Sequence, residues 1–201
     1  VPPVRLDGRW IDLVPLEPAH RPALAEAGRD PEIWRFLRYG DVTTDAAMDA
    51  LISELLARQR RATDLAFTIV RRSDGTPVGM TRFLEIARDD RAVEIGGSWL
   101  ARSCWRSPFN SDAKRLLLGY AFDTEQALRV AFKTDLRNTR SQRAIERLGA
   151  HREGVLRDHI RLPDGVQRSS VVYSIVAPEW PAVRERLDAA LRRPWPPTTV
   201  P

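Results

Sequence analysis

Residues 105–122 read WRSPFNSDAKRLLLGYAF. The first half is a turn that mixes small hydroxyls, an arginine, a proline and an asparagine. The second half places Ala113, Leu116, Leu117, Tyr120 and Ala121 on one apolar helical face. Such a turn stands at a helix amino terminus, where the first backbone N–H groups lack partners and the helix dipole is positive. It is therefore suited to an anion. Asn110 or Ser111 can cap the helix, and Arg106, Ser107 and Ser111 can add donors to a phosphate. Taken alone, the turn favours the plainer reading, an ordinary helix cap with incidental serines.

The flanking segments alternate strand and helix. AVEIGGSWL (92–100) precedes the turn as a strand, and a strand near LRVAFKT (128–134) follows the helix. Upstream, LAFTIVRR and PVGMTRFLEI form a hairpin across the Asp-Gly turn SDGT. Before it, Thr44 caps a helix whose stripe is Met48, Leu51, Ile52, Leu55 and Leu56. WIDLVPL (10–16) is a first strand, and helical pieces are expected over 18–28 and 31–39. Downstream come a helix from Asn138 to Leu148 ended by Gly149, strands near REGVLRDHI and SSVVYSIV around the turn PDG, and a last helix after Pro178. The proline-rich tail 194–201 is expected to be extended. One domain over 1–201 is the expectation, with no internal repeat.

Composition narrows the function classes. With 201 residues, 43% of them hydrophobic, the chain can bury a core, and no apolar run is long enough to span a membrane. Thirty-two basic residues against 27 acidic ones leave a net charge of only +5, with the signs interspersed as on a solvated surface. Lysine occurs only at 114 and 133, and no zinc-finger spacing, basic heptad or RNA-binding aromatic signature is present. Nucleic acid is thus a disfavoured partner, and no metal is implied. The opening VPPVRLDGRW lacks the basic start and apolar stretch of a secretory signal, and the lone Cys104 cannot form an internal disulfide. A cytoplasmic location is expected.

Three blocks, EIGGSWL (94–100), WRSPFNSDAKRLLLGYAF (105–122) and NTRSQRAIERLGAHREGVLRD (138–158), resemble the GNAT superfamily of acyl-CoA-dependent N-acetyltransferases. The resemblance spans about 4–176 and is closest to the branch that acetylates the amino-terminal alanine of ribosomal proteins. It implies a mixed α/β (α+β) fold with a central, mostly antiparallel twisted sheet and helices on both faces. It also implies acetyl-CoA as co-substrate and an amine acceptor, a protein N-terminus or a small amine. A homodimer is compatible with it.

The resemblance assigns tasks to residues. Arg102, Arg106, Ser107, Asn110 and Ser111 lie in the pyrophosphate turn, although Pro108 stands where the family commonly has glycine. The strand edge at Ser98, Trp99 and Leu100 would pair with the pantetheine amides. Asn138 and Ser141 fill the family's N-x-x-S pattern, Asn138 for the pantetheine arm and Ser141 as proton donor to the thiolate. Ile145 stands where many relatives have a tyrosine. Asn138 is also a plain N-cap by residue type, and the two roles coexist. Of Arg140, Arg143 and Arg147, one or two can reach the nucleotide phosphates, or all three form a solvated face; Arg143 is the one assigned here.

Glu94 is the chosen general base, with His151 and His159 as weaker alternatives. Simple alternation puts Glu94, Gly96 and Ser98 on one face of their strand and Val93, Ile95 and Trp99 on the other. By the resemblance, Trp34, Phe36, Leu37 and Tyr39 would form one acceptor wall, with Trp34 and Tyr39 as its contacts, and the hairpin at Pro163–Gly165 the other, although aromatic residues at helical spacing are more often core than pocket. Cys104 has no activating partner, which disfavours an acyl-cysteine route. Two rival classes stay open, a catalytically idle acyl-CoA-binding module and a basic nucleic-acid-binding protein.

Overall fold

The computed structural model of the chain describes residues 4–195. Residues 196–201 of the tail expected to be extended lie outside the described residues. Eight strands form one sheet in the order β1-β2-β3-β4-β5-β6-β8-β7. They are β1 (Leu6–Asp7), β2 (Ile11–Pro15), β3 (Leu65–Arg71), β4 (Pro77–Ala87), β5 (Ala92–Leu100), β6 (Arg129–Asp135), β7 (His151–Arg161) and β8 (Gln167–Val176). Every neighbouring pair is antiparallel except β5 and β6. A mixed, mostly antiparallel sheet is therefore the architecture, as the sequence implied; β1, two residues long, was not foreseen.

Helices cover both faces, because the sheet buries apolar residues on both. On one face α1 (Arg21–Ala27) and α2 (Asp45–Arg60) enclose a core of Leu24, Met48, Ile52, Met80 and Trp99. On the other, α3 (Phe109–Gly119), α4 (Thr139–Leu148) and α5 (Trp180–Arg192) cover Phe67, Phe83, Ile95, Val130 and Tyr173. Thr44 caps α2 as expected, accepting from the Ala47 N–H at 3.2 Å. The apolar face of α3 runs on through a π-helical turn, Tyr120–Thr124. No described helix is long and apolar enough to cross a membrane.

The segment 31–39 corrects the expectation of a second helical piece. Only Pro31–Ile33 forms a short 3-10 turn, and the chain then continues in turns through Tyr39. Trp34 explains the break, because its indole N–H donates to the Gly28 carbonyl at 2.8 Å and pulls the ring back into the α1/α2 core.

Two contacts fix the start of α3. Asp112 is buried and accepts from the backbone N–H groups of Trp10 (2.6 Å) and Ile11 (3.1 Å), docking the first turn against β2. After α5 the chain returns and sets Trp195 against Phe109, the first residue of α3, with ring centroids 5.5 Å apart.

Candidate active site

The parallel pair β5/β6 is short and then opens. Ala92, Val93 and Glu94 pair with Arg129, Val130 and Ala131; beyond them β5 follows β4 and β6 follows β8. A bulge bends β5 at this point. From Gly96 to Trp99 it takes three steps, whereas its partner β4 takes two, from Arg82 to Met80. Gly97 absorbs the extra residue at φ 58°, and a Cβ there would lie 2.2 Å from Tyr39 Oη, so the position requires glycine.

This bulge overturns simple alternation. Glu94 shares the face of its register partner Leu84, but after the extra residue Trp99 turns to the α1/α2 core while Ile95 remains in the α3 core. Ser98 turns toward α3, where Lys114 Nζ donates to its hydroxyl at 2.7 Å and Thr81 Oγ1 lies 2.8 Å away. Ser98 is therefore not on the face of Glu94, and Trp99 is not on that of Ile95.

A cavity of about 840 Å³ fills the opening. A neighbouring one of about 1130 Å³ shares Arg38, Tyr39, Arg82, Leu84 and Glu85 with it but reaches neither α3 nor α4. At one end of the first lies the turn before α3, lined by Arg102, Arg106, Ser107, Asn110 and Ser111. The helix begins at Phe109 with Pro108 at the N-cap, so Asn110 and Ser111 belong to the first turn and neither caps it. Ser107 substitutes as the cap: its hydroxyl accepts from the Phe109 N–H (3.3 Å) and donates to the Cys104 carbonyl (2.7 Å). Asp112 N–H is the first to bond within the helix, to Pro108, which leaves the N–H groups of Asn110 and Ser111 open. Arg106 carries a positive φ of 64°, in the left-handed region that favours glycine.

Trp105 was passed over in the sequence. Arg102 and Arg140 pack over its ring, 4.1 and 3.6 Å from the centroid, and its N–H donates to the Leu100 carbonyl at 3.0 Å. One acceptor of the β5 edge is thereby already engaged. Arg140 and Arg147 line the cavity, whereas Arg143 is exposed and lies outside it.

Glu94 sits where the strands part, and its side chain is 8% exposed. Lys133 Nζ forms an ion pair with Glu94 Oε2 at 2.9 Å and donates to Glu85 at 2.7 Å. Burial pushes the Glu94 carboxyl above its ordinary value, while Lys133 pulls it down. Across the cavity Asn138 caps α4 by accepting from the Ser141 N–H at 3.0 Å, and Ser141 itself lines the wall. Cys104 is buried, and burial pushes its thiol up.

The remaining wall is partly as read and partly different. Phe36, Leu37 and Tyr39 line it; Trp34 stands behind, packed on Trp99 with centroids 5.0 Å apart. Opposite are His159, Ile160 and Arg168 of β7 and β8, while the turn residue Pro163 lies against Gly40. His151 is exposed and outside the cavity. Lys114 and Arg168, both buried in the wall, were also missed.

The cavity thus lies between parted parallel strands and two helix amino termini, an arrangement suited to an anionic ligand. A family model described as acetyltransferase (GNAT) domain matches residues 11–151. The chain belongs to the GNAT acetyltransferase family. Within this family, the solved structure of a candidate acetyltransferase from T. thermophilus is 42% identical, with a TM-score of 0.87 over 95% of this chain and 98% of its own. The candidate ribosomal N-acetyltransferase YdaF of Bacillus subtilis (strain 168) is 32% identical over 107 residues, 53% of this chain and 57% of its own length. Mycobacterium smegmatis RimJ, solved in complex with CoA-disulfide, shares the fold with a TM-score of 0.80 at 23% identity, over 94% of this chain and 96% of its own. This GNAT chain is thus an acetyltransferase.

Proposed function

We propose that the chain transfers the acetyl group of acetyl-CoA directly to a primary amine, a protein N-terminus or a small amine. The observation that carries this reading is Glu94, a buried carboxylate with a raised pKa at the point where β5 and β6 separate inside the cavity. The donors present fit the co-substrate. The open N–H groups of Asn110 and Ser111, with Arg102, Arg106 and Arg140 beside them, face the pyrophosphate. The free stretch of the β5 edge receives the pantetheine amides, and Asn138 orients the arm from α4.

Acetyl-CoA, when bound, provides the thioester carbonyl that the amine attacks. Glu94 takes the amine proton, and Ser141 returns a proton to the sulfur. A buried Cys104 with a raised pKa disfavours an acyl-enzyme, which supports direct attack. The likeness to YdaF supports a protein N-terminus of the ribosomal-protein type as acceptor, in a single cytoplasmic domain spanning 1–201.

The test is a panel of alanine- and serine-initiated peptides and small amines incubated with acetyl-CoA, read by thiol release and by the mass of the acetylated product. Turnover of at least one class is expected. Binding of acetyl-CoA with no turnover of any amine overturns the proposal in favour of an idle acyl-CoA-binding module.

A further inference from the structure

We infer that the acceptor half of the cavity takes an amine that also carries a carboxylate, and that Arg168 receives it. The inference rests on the acetyltransferase reading above and names the class of amine. Arg168 projects from β8 into the cavity wall and is 6% exposed. Its Nε donates to Ser170 Oγ at 2.8 Å and its Nη1 reaches the Phe36 carbonyl only at 3.5 Å. No carboxylate lies within 4.0 Å of it among the described residues. A buried guanidinium held by neutral acceptors alone leaves part of its charge uncompensated.

The surrounding charges sharpen the point. Asp135 and Glu94 are the carboxylates whose fields reach Arg168, and both are engaged. Arg137 holds Asp135 with two bonds, 2.9 and 2.7 Å, and Lys133 stands beside Glu94. Arg38, which lines the same cavity, forms no ion pair among the described residues and acts on Arg168 with its own positive charge. Lys133 is thus taken up by Glu85 and Glu94 and Arg137 by Asp135, which leaves Arg168 and Arg38 as the cations of this group without an ion pair among the described residues. His159 adds no anion, and burial together with Arg168, Lys133 and Arg38 holds its pKa below the ordinary value.

A carboxylate is an anion that a buried guanidinium without an ion pair suits. The guanidinium matches it in shape as well: with Nε committed to Ser170, the Nη edge presents donors in the fork that suits a carboxylate. Placed there, the carboxylate lies on the wall of the cavity that also holds Glu94, so an acceptor bearing both groups presents its amine to the base.

The carboxylate has two sources, the α-carboxylate of a free amino acid or an acidic side chain near a peptide's amino terminus. The experiment measures kcat/KM for matched pairs: free amino acids against their amides, and peptides with Asp or Glu in the first three positions against Asn or Gln. An amine bearing a phosphate is the third arm. Wild type is expected to favour the carboxylated member of one pair by about tenfold or more, through KM. Arg168→Met should collapse that ratio to within twofold, and Arg168→Lys should keep part of it, which separates lost recognition from misfolding. Equal rates for acid and amide in wild type, an unchanged ratio in Arg168→Met, or preference for the phosphate overturns the inference. If no amine turns over, the acetyltransferase reading fails instead. Calorimetric binding of the same pairs to CoA-loaded protein then decides on Arg168, with equal affinity for acid and amide sinking it.

Discussion

Lys114 Nζ donates to Ser98 Oγ over 2.7 Å, tying the second turn of α3 to the bulge in β5. Lys114 is 5% exposed, and burial pushes its pKa down to about 7. In the unfolded chain the same group titrates near 10.5. Between these values the unfolded chain holds a proton that the folded protein has released, so stability rises with pH across the window and falls as pH drops toward 7.

Lys114→Met removes this linkage. From pH 7 to 9 wild type should gain on the variant by up to about 1.4 kcal/mol per pH unit in urea unfolding. A stability difference independent of pH means that Lys114 stays charged in the fold.

Lys114 was hidden in the sequence because a lysine in a leucine-rich helix reads as a surface residue. The available signal was its rarity, one of two lysines in an arginine-rich chain. Other features were plain. The Asp-Gly turn between β3 and β4 and the Thr44 cap of α2 rest on local chemistry, which sequence carries directly. The face of Ser98 was not legible, because alternation contains no rule for an inserted residue; the Gly96–Gly97 pair was the cue for a bulge. Residues 31–39 misled for a different reason. Their aromatic residues mimic helical spacing while burying in separate places, Trp34 in the α1/α2 core and Phe36 in the cavity wall.

Gly97 tests the bulge. At φ 58° a side chain is strained, and its Cβ would meet Tyr39 Oη at 2.2 Å. Gly97→Ala should destabilise the protein by at least about 1 kcal/mol. Tyr39 Oη is buried and has no hydrogen-bond partner among the described residues, so Tyr39→Phe alone should cost almost nothing. Combined with Gly97→Ala it should recover the steric part of the loss. A double variant no more stable than Gly97→Ala places the strain in the backbone alone.

Glu94 and Lys133 make a prediction about pH. If Glu94 is the base, kcat/KM falls as pH drops through its pKa, which burial holds above the ordinary carboxylate value. Glu94→Gln should lower turnover by about 100-fold and abolish that acid limb. Lys133 pulls the carboxyl down, so Lys133→Met should move the limb to higher pH. A limb that stays in place in Lys133→Met, or survives in Glu94→Gln, belongs to another group.

Asn138 and Ser141 separate capping from chemistry. The cap of α4 uses the Ser141 backbone N–H, not its hydroxyl, so Ser141→Ala leaves the 3.0 Å bond to Asn138 in place. Stability should therefore change by less than about 0.5 kcal/mol. Asn138→Ala removes the cap and should cost about 1 kcal/mol, with weaker acetyl-CoA binding if the side chain also orients the pantetheine arm. A hydroxyl that returns the proton to the thiolate acts only as charge develops on sulfur, so Ser141→Ala should keep acetyl-CoA affinity while slowing the chemical step by about 100-fold. Thermal shift with acetyl-CoA reads the first quantity, and single-turnover acetylation reads the second. A single-turnover rate within threefold of wild type removes Ser141 from proton transfer. The thiolate must then take its proton from water or from another wall residue, with the neutralisable amine of Lys114 the next group to replace.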